Sequence, residues 1–499
     1  MRSSFSSRPH AALLAGVCGV LAAEAGYQTW TSDLWLFLEG AIALVAILVV
    51  WRGQDRLRLP PLLGLALAFQ AGLVAIHLTL GATADVDSSI VFRLQGEALL
   101  DGDYPRSEYP TGAVLLFAFE ALLSGGDTRV ANAFLMIPFQ LLTVAAIWGL
   151  RTRWSPWLAV VVALWPANAY FWEFKFDLVP AALLAAGLLL AYRERWTLSG
   201  AALGVGAAVK WSPALAFAAL VVWLLASRRG RTLRAHAAGF LLVLLLVHLP
   251  FLIWSPGDVA AAYTRQGGRG ISAESIWYLF LRPLDLAQVR GHLSFSAGAP
   301  EWADVGATLV QVALVLLVLV AAASARSNLR AAVAIAALAP AVFLLTNRIF
   351  SPQFLVPLFA AWAVAGALLV PSARKQLVLG LTMMAAAGAN AFVYPFALPF
   401  YSVTWPIASA ILFALGLAVT GWLLARATLR PQLATEDDRG GERQDQERVE
   451  VVEDHRQVEE IGGHRSDQRR SHAPGEWANS GGEWVAGDRQ SPADRPGSA

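Results

Sequence analysis

Residues 228–254 read RRGRTLRAHAAGFLLVLLLVHLPFLIW, a cluster of four arginines followed by an almost unbroken apolar run. An apolar run of about 20 residues is long enough to cross a bilayer as a helix. The same alternation of arginine-rich gaps and apolar runs recurs along the chain as far as residue 430. It predicts an all-α polytopic membrane protein.

The composition supports a membrane protein. Of the 499 residues, 57% are hydrophobic and only 15% are charged. A soluble protein of this size could not bury so much apolar surface, so the bilayer must act as solvent. The single cysteine, Cys18, excludes an internal disulfide. The basic pI reflects arginines that face anionic lipid, and it is no argument for a nucleic-acid partner.

The apolar runs predict about fourteen crossings, in a range of about 12–14 transmembrane helices. These runs lie near residues 11–27, 34–51, 60–81, 131–150, 157–170, 177–192, 197–210, 213–227, 236–254, 305–325, 331–346, 353–371, 376–391 and 403–425. The fifth to the eighth are short, so we expect them to be tilted, half-spanning, or bent at Pro166 and Pro213.

The lysines and arginines predict the orientation. Up to residue 430, nineteen of them fall in one set of alternate gaps and ten in the other. Because cytoplasmic loops carry the excess of these residues, we expect both termini on the cytoplasmic side of the plasma membrane. In an alternative interpretation, residues 11–23 are the core of a signal peptide, with Ala23 and Ala25 framing the cleavage site.

Two domains are expected. Residues 1–430 form the multi-spanning membrane domain. From residue 431 to 499 the chain consists mainly of Asp, Glu, Arg, Gln, Gly and Ser. Such a segment cannot bury enough apolar surface to fold, which predicts a disordered cytoplasmic tail.

The first large loop on the opposite face is rich in acids. It begins with Asp85 and Asp87, and the apolar positions that follow predict an amphipathic helix at the membrane interface. Residues 113–123 are too short to cross, so we expect a re-entrant or surface helix. The two aspartates are either solvated helix-capping acids or a general base with a like-charged neighbour.

Most other loops on this face present a cation or a carboxylate, and the last presents Tyr394. The charged residues singled out are Glu173, Lys175, Asp177, Lys210, Arg265, Arg269, Glu274 and Arg348. Interface snorkelling would explain each lysine singly. Together they suit chemistry with a phosphate leaving group, which needs cations where negative charge develops. Glu39 and Glu120 lie within apolar runs and are expected to serve helix packing.

Motifs on this face resemble those of a known family. The order Asp85-x-Asp87, then GDYP at 102–105 and EYPTG at 108–112, is similar to the first outer loop of the C-type glycosyltransferases. The resemblance extends to the bacterial polyprenyl-phosphate-mannose-dependent mannosyltransferases, glycosyltransferase family 87. Further matching stretches are AAVKWSP at 207–213, Arg269-Gly270 with Glu274-Ser275, and RIFSPQ at 348–353.

The chain departs from the family pattern at two places. It has Val91 and Phe92 where an aromatic pair is common, and Thr111 where a second proline is common. The register of the acidic motif is therefore open. We favour Asp87 as the catalytic base and keep Asp85 as the alternative.

The resemblance implies a C-type glycosyltransferase fold and an inverting hexosyltransferase. The sugar, expected to be mannose, would pass from a polyprenyl-phosphate donor to a glycan or glycolipid acceptor outside the plasma membrane. Donor phosphate contacts are expected from Lys210, Arg269 and Arg348. Acceptor or sugar contacts are expected from Glu173, Asp177, Glu274, Tyr109 and Gln353. No cofactor and no essential metal are expected.

Two rival hypotheses belong to other classes, a transporter or lipid flippase and a non-catalytic scaffold. Transporters usually place polar groups near the bilayer midplane, on broken helices in repeated halves. Here the polar residues gather at one end of the apolar runs. That distribution favours the enzyme.

Overall fold

The structure is a computed structural model that describes residues 8–30, 33–80, 87–125, 127–287, 297–394 and 404–429. Asp85 and the predicted tail from residue 431 lie outside the described residues. In the described ranges every regular element is helical and no β-strand occurs. The predicted fold class, an all-α polytopic membrane protein, is confirmed.

The first helices enclose one edge of the bundle and lead into the acidic loop. They are α1 (Arg8–Trp30), α2 (Asp33–Trp51) and α3 (Leu59–Thr79), then a turn of π-helix (Asp87–Val91), α4 (Phe92–Leu100) and α5 (Thr111–Ser124). Helix α5 has 14 residues, about 21 Å at 1.5 Å per residue, which is shorter than the hydrocarbon core of about 30 Å. It packs on α4, α6, α10 and α12.

The central part of the chain folds into short helices. They are α6 (Thr128–Trp148), α7 (Ser155–Leu164), α8 (Ala169–Phe174), α9 (Leu178–Tyr192), α10 (Trp196–Val209) and α11 (Ser212–Ala226). Pro166 begins a new turn after α7, because it cannot continue a helix. Pro213 lies in the first turn of α11, where proline is tolerated, so it begins a helix and does not bend one.

The remaining helices complete the bundle. They are α12 (Gly230–Trp254), α13 (Pro256–Gly268), α14 (Ile276–Leu281), α15 (Glu301–Ser324), α16 (Leu329–Thr346), α17 (Leu355–Leu369), α18 (Ala373–Val393) and α19 (Thr404–Leu429). Helices α16 and α17 are buried along almost their whole length. Helices α12 and α15 expose most of their leucines, as expected of helices that face lipid.

Ten helices of the described chain are long and apolar enough to cross a membrane, or eleven if α8 and α9 form one bent span. They are α1, α2, α3, α6, α12, α15, α16, α17, α18 and α19. The difference from about fourteen lies in the fifth to eighth apolar runs. These correspond to α7–α11, none of which exceeds 15 residues. Because neighbouring helices surround them, they need not match the bilayer thickness.

Exposed tryptophans mark one end of the bundle. Trp254 ends α12 and is 49% exposed, and Trp302 begins α15 and is 63% exposed. Tryptophan is enriched where a membrane meets water. The loops at this end carry Asp87, so we call it the Asp87 end.

Candidate active site

Asp87 and Lys175 form an ion pair at the Asp87 end. Asp87 opens the turn of π-helix before α4, and Lys175 lies in the break between α8 and α9. The Lys175 Nζ donates to Asp87 Oδ2 over 2.6 Å; the lysine side chain is 5% exposed and the aspartate side chain 35%. A buried cation therefore holds a carboxylate that a substrate can reach.

Asp177 and Lys210 form a second ion pair, which is more deeply buried. Lys210 Nζ donates to Asp177 Oδ1 over 2.6 Å, and the Asp177 side chain is fully buried. The ammonium also lies 5.1 Å from the centre of the Phe176 ring and 4.6 Å from that of Phe354. Because a buried charge is costly unless paired, each partner depends on the other.

Glu274 lies in the loop between α13 and α14, near the first ion pair and Arg269. Its side chain is buried. Burial raises the pKa of Glu274 to about 8, against the lowering effect of Lys175 and Arg269, while Asp87 raises it further. At neutral pH its carboxyl is therefore mostly protonated and can donate a hydrogen bond.

Arg269 precedes this loop and pairs with the acidic loop. Its Nη1 donates to Glu108 Oε2 over 3.1 Å, with both side chains 40% exposed. Ion pairs this exposed contribute little to stability. A ligand anion at Arg269 would therefore displace Glu108 at small cost.

Tyr109 lies between these groups. Its ring packs edge to face on Phe176, with ring centroids 5.3 Å apart. Burial raises the pKa of Tyr109, and the charges of Asp87, Glu108 and Asp177 raise it further. The phenol therefore stays protonated at neutral pH and remains a hydrogen-bond donor.

We call these seven charged or acidic residues the charged cluster: Asp87, Glu108, Lys175, Asp177, Lys210, Arg269 and Glu274. The charges of Asp87 and Lys175 act on both Asp177 and Glu274, which shows that the two ion pairs are near neighbours. Four separate loops thus meet at the Asp87 end. Glu108 and Arg269 form its more exposed margin.

Arg348 lies in the loop between α16 and α17, which is joined to the loop before α14. The Ser272 main-chain N–H donates to the Arg348 carbonyl oxygen over 2.8 Å. The Phe350 N–H donates to the Ser272 hydroxyl over 3.1 Å. The Arg348 guanidinium donates to the Gly267 carbonyl oxygen over 2.5 Å, and in the described part of the chain it has no carboxylate partner.

Gln353 lies five residues further on and is half-buried. Its Oε1 accepts a hydrogen bond from the Ser351 hydroxyl over 2.9 Å. The next residue, Phe354, is the one that covers the Lys210 ammonium. The RIFSPQ motif is thus adjacent to the second ion pair.

Gly112 brings the acidic loop against the end of α10. A Cβ atom at this position would lie 2.5 Å from the carbonyl oxygen of Ala208 and 2.6 Å from its carbonyl carbon. Only glycine permits two backbones to approach so closely. The contact holds the Tyr109 turn beside Lys210, two residues after Ala208.

Glu173 does not join the charged cluster. Its side chain is 1% exposed, and its Oε2 lies 2.6 Å from His77 Nδ1. One carboxylate oxygen is therefore occupied by a protein partner, and the other, Oε1, is buried without a hydrogen-bond partner in the described part of the chain. A contact between Glu173 and a sugar hydroxyl, as expected from the sequence, stays a prediction and would require the sugar to reach this buried oxygen.

The structure thus brings together six of the predicted site residues and places two more in an adjoining loop. The six are Asp87, Tyr109, Asp177, Lys210, Arg269 and Glu274; the two are Arg348 and Gln353. The sequence put Lys175 on this face among the charges that suit a phosphate leaving group, but it gave the residue no individual role. One signal was present, because only three lysines occur in the chain and Lys175 is one of them.

A cavity of about 500 Å³ lies at the opposite end of α10, lined among others by Glu194, Arg195 and Arg231. None of the predicted site residues lines it. Its arginines belong to the loops predicted to be cytoplasmic. In the described ranges no group of three or more His, Cys, Asp or Glu side chains is arranged to hold a metal ion.

Comparison with known proteins identifies one family. Residues 108–352 match the family model of glycosyltransferase family 87. This range contains every residue of the charged cluster except Asp87, which lies upstream of it. No curated protein and no solved structure matches the chain. The match confirms the resemblance to glycosyltransferase family 87 that the motifs predicted, and together with the polytopic fold it supports a membrane glycosyltransferase.

Proposed function

We propose that the protein transfers mannose from a polyprenyl-phosphate donor to a hydroxyl of an envelope glycan or glycolipid, at the outer face of the plasma membrane. One observation carries the proposal. The most exposed member of these two ion pairs is a carboxylate, Asp87, whose side chain is 35% exposed, and it lies among cations. A base and a set of cations side by side are what sugar transfer from a lipid phosphate needs.

In the proposed reaction Asp87 acts as the general base. Lys175 occupies its Oδ2, so we assign Oδ1 to take the proton of the acceptor hydroxyl. The hydroxyl oxygen forms a bond to the anomeric carbon as the bond from that carbon to the phosphate oxygen breaks. The electron pair leaves with the lipid phosphate, and the anomeric centre is inverted.

The cations have different parts in this proposal. Arg269 and Arg348 carry partly exposed guanidinium groups, and their planar forks suit two phosphate oxygens at once. Lys210 lies beneath aromatic rings and is held by Asp177. We therefore assign it to the electrostatic field behind the phosphate, where it stabilises developing negative charge at short range.

The remaining groups would hold the sugars. Glu274 in its protonated form and Tyr109 both offer donors toward the charged cluster. Gln353 offers an amide beside Phe354. Asp177 reaches the sugar only through a rearrangement of its bond to Lys210, because its side chain is fully buried.

The test is mannosyl transfer from radiolabelled polyprenyl-phosphate mannose in membranes that carry Asp87→Asn, at matched expression. An amide cannot take the acceptor proton, so we expect a loss of roughly 100-fold or more, the usual contribution of a general base. Asp85→Asn tests the alternative register in the same assay.

Asp101→Asn is the matched control. Asp101 ends α4 on the same loop and is exposed, so its amide variant should retain full activity. Full activity in both Asp85→Asn and Asp87→Asn would overturn the proposed base. A strain lacking the protein should also lack one mannose in its envelope glycans or glycolipids, as read by mass spectrometry.

A further inference from the structure

Buried beside the charged cluster is a bridge of three side chains that the proposed reaction does not use. His77 Nδ1 lies 2.6 Å from Glu173 Oε2, and His77 Nε2 lies 2.8 Å from Glu24 Oε1. The side chains of His77, Glu173 and Glu24 are 10%, 1% and 8% exposed. We call this arrangement the His77 bridge. It joins α1, α3 and α8.

Both ring nitrogens of His77 face carboxylate oxygens. A neutral imidazole has only one N–H, so it could donate to only one of the two carboxylates. An imidazolium donates to both, and each bond is then charge-assisted and short. The bridge is therefore best satisfied as a cation between two anions, with Glu39 as a further acidic neighbour of Glu24.

The bridge lies close to Lys175 along the sequence. Glu173 precedes Lys175 by two residues and lies within α8, so the bond from His77 to Glu173 holds α8 two residues before the lysine. On the other side, His77 precedes Asp87 by ten residues, and residues 81–86 between them lie outside the described part of the chain.

Helix α8 depends on contacts with other elements for its orientation, and besides the His77 bridge these include Tyr170 with Tyr394 and Trp172 with Phe69. It has only six residues, lies between two breaks, and its segment is bent by 108° from α9. A single short helix is not stable by its own hydrogen bonds, so side-chain contacts must orient it. The Asn132 amide donates to the Glu173 carbonyl oxygen over 2.5 Å, and the His77 ring packs on Phe174 with centroids 6.0 Å apart.

We propose that His77 is a positioning residue, which holds the end of α8 through Glu173 so that Lys175 meets Asp87. This inference rests on the proposed function, because that function makes Asp87 the catalytic base. The distance between positions 87 and 175 can nevertheless be tested directly, without substrate.

The first experiment is a cross-link. In a Cys18→Ser background, Asp87→Cys and Lys175→Cys are combined and treated with a short bifunctional methanethiosulfonate. The background removes the only native cysteine. A lysine side chain spans too great a distance for a direct disulfide between the two positions. Adding His77→Leu should lower the cross-link yield severalfold, because the end of α8 is released.

His236→Leu is the matched control. His236 is also a buried histidine, but it contacts the Trp196 carbonyl oxygen on α10. Its loss should lower the melting temperature and leave the cross-link yield unchanged. An unchanged yield in His77→Leu, measured well below its melting temperature, would overturn the proposal. If that variant does not accumulate, Glu173→Gln tests the same bond with little change of volume.

The second experiment uses activity in the native chain. We expect His77→Leu to lower kcat by roughly 10- to 100-fold, the effect of a displacement of about 1 Å, with little change in the KM for polyprenyl-phosphate mannose. In a Lys175→Met background, His77→Leu should lower kcat no further, because the lysine that His77 positions is already absent. If the two substitutions lowered kcat independently, His77 would not act through Lys175. If the parent has no mannosyl activity, the proposed function fails while the cross-link still decides the positioning role.

Discussion

Glu274 illustrates how burial changes the chemistry of a single side chain. The same carboxyl on the surface would titrate near 4.5, but burial raises its pKa to about 8. The charged form is disfavoured because it loses its hydration, and Lys175 and Arg269 offset only part of that loss. At pH 7 the residue is thus mostly a hydrogen-bond donor.

This shift predicts a pH dependence. If protonated Glu274 donates to a sugar, kcat/KM should fall as pH rises through about 8, where the proton is lost. Glu274→Gln keeps a neutral donor at every pH, so its profile should lack that alkaline limb. Glu97→Gln is the control, because Glu97 is an exposed residue of α4 paired with Arg93. A limb that persists in Glu274→Gln would show that another group titrates.

The raised pKa of Glu274 also makes the stability of the folded protein depend on pH. A carboxyl whose folded pKa exceeds its unfolded value favours the folded state most strongly below the unfolded pKa. That contribution is lost as pH rises from about 4.5 to about 8. The unfolding midpoint of Glu274→Gln should therefore decline less over this interval than that of the parent protein.

At the scale of elements, the breaks between helices place the functional groups. Lys175 and Asp177 lie in the break between α8 and α9, and Lys210 lies in the break between α10 and α11. In a continuous helix these side chains would lie on its lateral surface. A break at the end of a short helix directs them toward the neighbouring loops, and the acidic loop supplies Asp87 from the other side.

The close contact at Gly112 yields a prediction at this scale. In Gly112→Ala the new methyl group would overlap the Ala208 carbonyl group, so α5 and α10 must separate. We expect a loss of stability of about 1–3 kcal/mol, typical of overpacking, and reduced mannosyl transfer, because the Tyr109 turn moves away from Lys210.

Gly64→Ala in α3 is the control for the glycine substitution itself. No atom lies within 4 Å of the position that its Cβ would take. Its stability should rise slightly, by about 0.5–1 kcal/mol, since alanine is the better helix former. Thermal unfolding in detergent measures both variants. Equal stability of the two would contradict the close contact.

At the scale of the whole molecule, charge is separated along the helices. Helix α9 follows Asp177 directly and precedes Arg193, so these residues lie at opposite ends of a 15-residue helix, about 22 Å apart along its axis. The charged cluster is thus at one end of the bundle, and the arginine-lined cavity is at the other. This separation is what the excess of arginines in alternate loops predicts.

Sidedness can be tested with single cysteines in the Cys18→Ser background. Asp103→Cys lies in the exposed acidic loop and Glu194→Cys in the exposed turn between α9 and α10. A membrane-impermeant maleimide should label Asp103→Cys in intact cells, or spheroplasts where an outer membrane is present. Glu194→Cys should be labelled only after permeabilisation. The reverse pattern would place the charged cluster in the cytoplasm and contradict the outer-face reaction.

The sequence by itself determined the fold class, the resemblance to glycosyltransferase family 87, and the loops that carry the charged residues. Hydropathy and short motifs are local properties, so runs of leucine and stretches such as AAVKWSP are readable without any knowledge of packing. Asp87, Lys210 and Arg269 were therefore predicted as neighbours.

Only the tertiary structure decided which charges pair and how the short central helices are divided. Lys175 and Asp87 are 88 residues apart, and His77 and Glu173 are 96 apart. No local pattern specifies such partners, because they depend on how the intervening helices pack. Packing also pairs Glu173 with His77, apart from the charged cluster, and it allows α7–α11 to be shorter than a bilayer, since protein surrounds them in place of lipid.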